Sequence, residues 1–260
     1  MVEKNSITKV AFTGNTKLTF EGIRAINTLD NFDIKAVFGI KDSDSHKKVN
    51  YLSLDKFCLD EDIKLFKNND WSDFHNFCEK QEVDLIITLG DSRIIPEIII
   101  NSFKVIGNHG AVLPDIQGGA SLVWGRLLNT KEWGISIMKI DRKVDSGDIL
   151  KIKKIKYDED CSELEFTKRC DDTTIKALLE VINNDYKVIK NKKWDVRIAK
   201  HTDSLKTIEI LKYCLENNLN VYLPPRTEND GVINKSWNLN FKNIFKIANN
   251  YPYPKWKNEE

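Results

Sequence analysis

The sequence predicts an α/β fold: a Rossmann-like, mostly parallel twisted sheet with helices on both faces, plus a small C-terminal subdomain. Short apolar runs alternate with amphipathic stretches through the N-terminal half, which is the pattern of strands separated by helices. The character changes after Gly134, where alternating segments give way to a long helical one. The chain has 260 residues, 41% of them hydrophobic, enough for one large domain or for one domain with an appendage.

Ile7–Phe12 reads as a buried strand ending at Thr13-Gly14, and Leu18–Leu29 has helical spacing at Leu18, Ile23, Ile26 and Leu29. Phe32–Phe38 is a second strand. Gly39–Lys67, rich in Lys, Asp and Ser, is expected to be irregular. Trp71–Lys80 puts Trp71, Phe74, Phe77 and Cys78 on one helical face. Val83–Leu89 is a buried strand and Lys104–Ile106 a shorter one. In a doubly wound sheet, ligands sit beyond the carboxyl ends of the strands. Thr88–Ser92 and Gly107–Gly110 both follow strands, so both are expected to face one crevice.

Ile135–Ile140 and Asp148–Tyr157 alternate like antiparallel strands. Ser162-Glu-Leu-Glu has the form of a capping box that starts a long helix. A further helix is expected at Ser204–Glu216, then a turn at Asp230-Gly231 and an aromatic tail. A boundary near 195–205 divides a catalytic domain, 1–200, from a small C-terminal subdomain, 201–260.

Lys+Arg (40) and Asp+Glu (39) nearly cancel, leaving a formal charge of +1, which offers no general attraction to nucleic acid or membrane. No signal peptide is apparent, and apolar runs such as Ile94–Ile100 are too short to span a bilayer, so a cytoplasmic location is expected. The five cysteines have no metal spacing and read as reduced structural thiols. His46, His75, His109 and His201 have no ligand-like spacing, so no metal is implied. Thr13-Gly14-Asn15 lacks the full glycine pattern of a nicotinamide site.

One segment carries chemistry. Ile106–Ala120 puts His109 just after a strand, in a Gly-rich loop, with Asn108 beside it. His109 can hydrogen-bond a developing oxyanion or move a proton, and Asn108 is an amide donor. Asp145, in Asp141-Arg-Lys-Val-Asp-Ser-Gly-Asp, lies on a tight turn. A carboxylate, a histidine and an amide suit acyl transfer to an amine. Taken without that convergence, His109 in a Gly loop and Asp145-Ser-Gly in a turn are equally ordinary structural features.

Asn108 to Leu150 resembles the folate-dependent formyltransferase family. The matching pieces are His109-Gly-Ala-Val-Leu-Pro114, Gly118-Gly119, Trp124, Gly134-Ile-Ser136 and Asp145-Ser-Gly-Asp-Ile149. The resemblance implies 10-formyltetrahydrofolate as co-substrate, with Asn108, His109 and Asp145 as the catalytic set. It implies that the pterin lies against the backbone of Ile87, Thr88, Leu89, Gly90, Asp91 and Ser92, with Asp141 and Val144 also on the cofactor. Counting back from Pro114, the family's asparagine falls at Gly107, so Asn108 is one place late. Either the loop is shifted, or another donor replaces it. Gln117 and Gly118 stand where the family has Arg-Gly and are expected to meet the acceptor.

The tail, Pro225-Arg-Thr-Glu-Asn-Asp-Gly-Val-Ile233 and Asn250–Pro254, is similar to that of sugar-nucleotide N-formyltransferases. This implies a nucleotide-sugar substrate, such as a dTDP-4-amino-4,6-dideoxyhexose for surface polysaccharide (O-antigen) synthesis, with no nucleic-acid or membrane partner. A homodimer is compatible with it. Arg226 fits a diphosphate contact and a structural bridge to Asp230 equally well. Tyr222 and Tyr253 fit a base-stacking face, as they do a packed aromatic cluster. The rival readings are a formyltetrahydrofolate hydrolase, a methionyl-tRNA type of formyltransferase, and a non-catalytic sugar-nucleotide-binding protein.

Overall fold

Val10, Ala11 and Phe12 are each wholly buried and form the middle of β1 (Thr8–Thr13), the strand about which the sheet is laid down. A computed structural model describes residues 7–47, 50–68, 70–130, 132–158, 160–189, 196–198, 203–223, 226–248 and 256–258. After β1 come α1 (Lys17–Asn27), β2 (Phe32–Phe38), α2 (Asp55–Asp60), β3 (Lys64–Phe66), α3 (Trp71–Lys80), β4 (Leu85–Thr88), α4 (Glu97–Ser102) and β5 (Lys104–His109). The second half holds β6 (Ile116–Gly118), α5 (Ser121–Leu128), β7 (Glu132–Lys139), β8 (Ile149–Lys156), α6 (Glu163–Asn183) and β9 (Val196–Ile198). It ends with α7 (Ser204–Glu216), β10 (Asn220–Leu223), β11 (Val232–Ile233), α8 (Leu239–Ala248) and β12 (Lys257–Asn258).

The main sheet is seven-stranded, in the order β3-β2-β1-β4-β5-β7-β8, with helices around it. The pairs β3–β2, β2–β1, β1–β4 and β4–β5 are all parallel. This is the α/β, Rossmann-like sheet that the alternating pattern predicts. A second, three-stranded sheet runs β6-β10-β9, and β11 pairs with β12.

The chain divides into two compact units, Met1–Asn108 with Met138–Lys143, and His109–Ile137 with Val144–Glu260. In the first, Ala36, Phe38, Phe74, Cys78, Ile86 and Ile99 form the core, each of them buried. Burying one such large side chain is worth about 1.5–3 kcal/mol. Thr16 caps α1 reciprocally with Thr19, and the Thr19 hydroxyl donates to the Leu89 carbonyl at 2.7 Å. That bond ties the start of α1 to the residue following β4.

The stretch Gly39–Lys67 is not irregular throughout, as its polar composition suggested. It holds a 3-10 turn at Asp42–Lys47, then α2 and β3, whose Phe66 packs edge-on against Phe74 and Phe77. A few apolar residues were enough to order a segment whose charge hid its pattern. Ser162 caps α6 by accepting from the Glu165 amide at 3.2 Å. Asp203 caps α7 by accepting from the Leu205 and Lys206 amides. Among the described residues no helix is long and apolar enough to cross a membrane, and all five cysteines are buried free thiols.

Candidate active site

In the second unit the loop after His109 is braced by side chains of β7. Ser136 Oγ donates to the Ala111 carbonyl at 2.8 Å and accepts from the Leu113 amide at 3.0 Å. Trp133 Nε1 donates to the Gly110 carbonyl at 2.7 Å. His109, 6% exposed, thus leaves β5 on a fixed backbone. Its Nε2 lies 2.9 Å from the Ile116 carbonyl, and its Nδ1 lies 3.4 Å from Asp145 Oδ1. The other Asp145 oxygen accepts from the Gly118 amide at 2.7 Å. Asp145 reaches this position from a left-handed backbone, φ 52°, which short acidic side chains tolerate better than most.

The pair therefore docks along one edge of β6. Asp115 and Gly119 bond to β10 on the other edge, through Val221 N and Leu223 O. Because backbone groups alternate along a strand, Ile116 and Gly118 turn the opposite way and receive His109 and Asp145. Both imidazole nitrogens face oxygens. That arrangement suits a ring donating through both, an imidazolium against a carboxylate, or the equivalent with the shared proton on Asp145. The pair can thus store and move one proton. In this arrangement the Ile116 carbonyl engages the His109 Nε2.

Gly118 is fixed by geometry. Its φ is +91°, and a Cβ there would lie 1.9 Å from the Leu223 carbonyl oxygen. Gln117, 3% exposed, is the register partner of the half-buried Tyr222 in the parallel pair β6–β10, so the two share one face of the small sheet. Arg226 donates to the Asp230 carbonyl, and its guanidinium carbon lies 5.2 Å from the Trp124 ring centre. Burial lowers the Arg226 pKa to about 10. The Asp230 carboxylate accepts from the Thr227 amide and hydroxyl. Trp237 is buried against Phe241 and Phe245, with ring centres 4.9 Å away in each case, which makes it core. Tyr253 lies outside the described residues.

In the first unit Ile87, Thr88 and Leu89 are buried and lead into Gly90, Asp91 and Ser92. Asn108 Oδ1 accepts from the Gly90 amide at 3.3 Å, joining the ends of β4 and β5. At Gly107 a Cβ would meet Thr88 Cγ2 at 2.5 Å and Ile140 Cδ1 at 2.8 Å, so a larger residue there would require those side chains to shift. The sequence reading missed Arg93. It grips the Asp91 carboxylate through Nε and Nη2 (2.6 Å for the latter) and the carbonyls of Phe38 and Gly39 at 2.7 and 2.6 Å. The only sequence signal was an arginine two residues after an aspartate. Asp141 Oδ1 accepts from the Arg142 amide, and Val144, in the second unit, is 46% exposed. Among the described residues no cluster of His, Cys, Asp and Glu could hold a metal.

A model of the formyl transferase family matches residues 35–182. A methionyl-tRNA formyltransferase of Mycoplasma capricolum subsp. capricolum is 26% identical over 204 residues, 75% of this chain and 64% of that one. The chain thus spans less than two thirds of that curated relative's length. The solved 4-N formyltransferase of Francisella tularensis superposes with a TM-score of 0.67 at 14% identity, over 98% of this chain and 93% of that one. A sugar 3N-formyl transferase, solved in the presence of dTDP and 5-N-formyl-THF, gives 0.53 at 19% identity over 82% of each chain. With the family match running through more than half of its length, the chain belongs to the formyl transferase family, the folate-dependent formyltransferases.

Proposed function

We propose that the protein is an N-formyltransferase that moves a formyl group from 10-formyltetrahydrofolate to the amine of a nucleotide-linked amino sugar. The observation that carries this reading is the buried His109–Asp145 pair fixed on β6. The reaction forms one bond, from the acceptor nitrogen to the formyl carbon, and breaks one, from that carbon to N10 of the folate. One proton must leave the acceptor nitrogen and one must reach N10. A coupled imidazole and carboxylate can give the one and take the other, with no covalent enzyme intermediate. In the first unit, the backbone of Ile87–Ser92, with Asp141, is assigned to the folate, and Asn108 holds that loop through Gly90. In the second, Gln117, Gly118, Tyr222 and Arg226 are assigned to the acceptor and Val144 to the folate.

Two things support the amino-sugar acceptor. The likeness to a solved sugar N-formyltransferase of Shewanella extends over 94% of this chain, and a formal charge of +1 gives no field for a polyanionic RNA. The second reading, formylation of an aminoacyl-tRNA, is favoured by the curated Mycoplasma relative. Incubation with 10-formyltetrahydrofolate and, in parallel, a panel of amino-sugar nucleotides and charged initiator tRNA separates the two. Mass spectrometry should find the added carbonyl on a sugar nucleotide. Formylated methionyl-tRNA with an unmodified panel would reverse the assignment.

A further inference from the structure

Formyl transfer passes through a tetrahedral carbon whose oxygen gains negative charge and needs a donor. His109 does not offer one, with Nε2 on the Ile116 carbonyl and Nδ1 on Asp145. Position 107 cannot, since glycine carries no side-chain donor. Asn108 accepts from the Gly90 amide through its oxygen, which leaves its Nδ2 able to donate one bond, and a developing oxyanion takes more than one. One residue stands between the two that fix the pair. Gln117 lies in β6, flanked by Ile116, whose carbonyl receives His109, and by Gly118, whose amide holds Asp145. It is 3% exposed, and its Nε2 has no hydrogen-bond partner among the described residues. A buried amide donor without a partner is uncommon, and its persistence calls for an explanation.

We propose that Gln117 is a catalytic residue: its Nε2–H donates to the formyl oxygen as the acceptor nitrogen attacks. This rests on the formyl-transfer reading above. Gln117 contributes a hydrogen bond and no proton; the proton leaving the acceptor nitrogen and the one reaching N10 both pass by way of the His109–Asp145 pair. The donor needs no reorganisation during the reaction, because β6 is bonded on both edges.

The test uses the full chain and the variants Gln117→Leu and Gln117→Glu, with 10-formyltetrahydrofolate carrying carbon-13 in the formyl group. In Gln117→Leu, kcat should fall about 100- to 1000-fold, with KM for the folate changed less than about threefold. The melting temperature should stay level or rise, since an unpartnered buried amide is replaced by an apolar group of similar size. Gln117→Glu should be equally slow at neutral pH and recover on acidification, as its carboxyl regains a donor, while Gln117→Leu should not. Infrared difference spectra should show the bound formyl carbonyl shifted to lower frequency in the wild type and released in Gln117→Leu. Unchanged kcat, or a loss explained by a lower melting temperature, would overturn the role of Gln117 and leave the formyl-transfer reading standing. A wild type that binds no folate would overturn both.

Discussion

Replacing Asp145 by Asn removes a charge while nearly keeping a shape. The new side chain can still accept from the Gly118 amide, now 2.7 Å from Oδ2, and asparagine tolerates the left-handed backbone at φ 52° as aspartate does. What changes is the side facing His109. An amide N–H would meet Nδ1 where a carboxylate lies at 3.4 Å, and the ring would settle as a neutral tautomer bonded to the Ile116 carbonyl. Hydrogen bonds to charged groups are worth about 1.5–3 kcal/mol. At about 1.4 kcal/mol per tenfold, kcat should fall roughly 10- to 150-fold. At about 2–4 °C per kcal/mol the same loss lowers the melting temperature by no more than roughly 3–12 °C, and the bond to β6 survives. Steady-state kinetics of formyl transfer, with melting followed on the same samples, reads both. Wild-type turnover in Asp145→Asn would refute the pair as the proton carrier. A loss of turnover that tracks a fall in melting temperature would refute the separation of chemistry from folding.

Gly118→Ala should destabilise by about 2–6 kcal/mol, summing left-handed strain and a clash at 1.9 Å with the Leu223 carbonyl; a melting temperature within about a degree of wild type would contradict the β6–β10 geometry. Arg93→Ala leaves the Asp91 carboxylate, 1% exposed, without its guanidinium, and should cost about 3–5 kcal/mol; denaturant titration should find Arg93→Ala/Asp91→Ala milder than the sum of the two single changes. Burial raises Glu163 from 4.5 to about 8, outweighing Arg126 at 3.7 Å. Its proton is then retained in the folded state and lost in the unfolded chain, so stability present below pH 4.5 drains as pH rises towards 8. Melting at pH 5 and pH 8 should show this drop in the wild type and a smaller one in Glu163→Gln; equal slopes would count against it.

The parallel sheet was legible because β1, β2 and β4 are short strands with apolar centres, separated by helices with clear spacing. The bounds of β2, α3 and α7 follow directly from that pattern. His109 and Asp145 were legible through their glycine contexts and the family resemblance. Three features were not. β6 is three residues long inside a Gly-rich loop, too short for any periodicity, and its partner β10 lies more than a hundred residues later. The role of the Ile116 carbonyl, a backbone group, leaves no side-chain signal at all. Arg93 and the buried Arg126–Glu163 pair depend on folding-dependent encounters between charged residues that look solvated in sequence.

A single-turnover experiment with carbon-13-labelled 10-formyltetrahydrofolate and an amino-sugar nucleotide tests the central claim, that the His109–Asp145 pair carries formyl transfer to an amine. Product is read by mass spectrometry and bound folate by calorimetry, for the wild type and for His109→Ala. The label should pass into an amide on the acceptor in the wild type, and should stay on the folate in His109→Ala while that variant still binds it. Label appearing as free formate, or transfer in His109→Ala at the wild-type rate, would contradict the account.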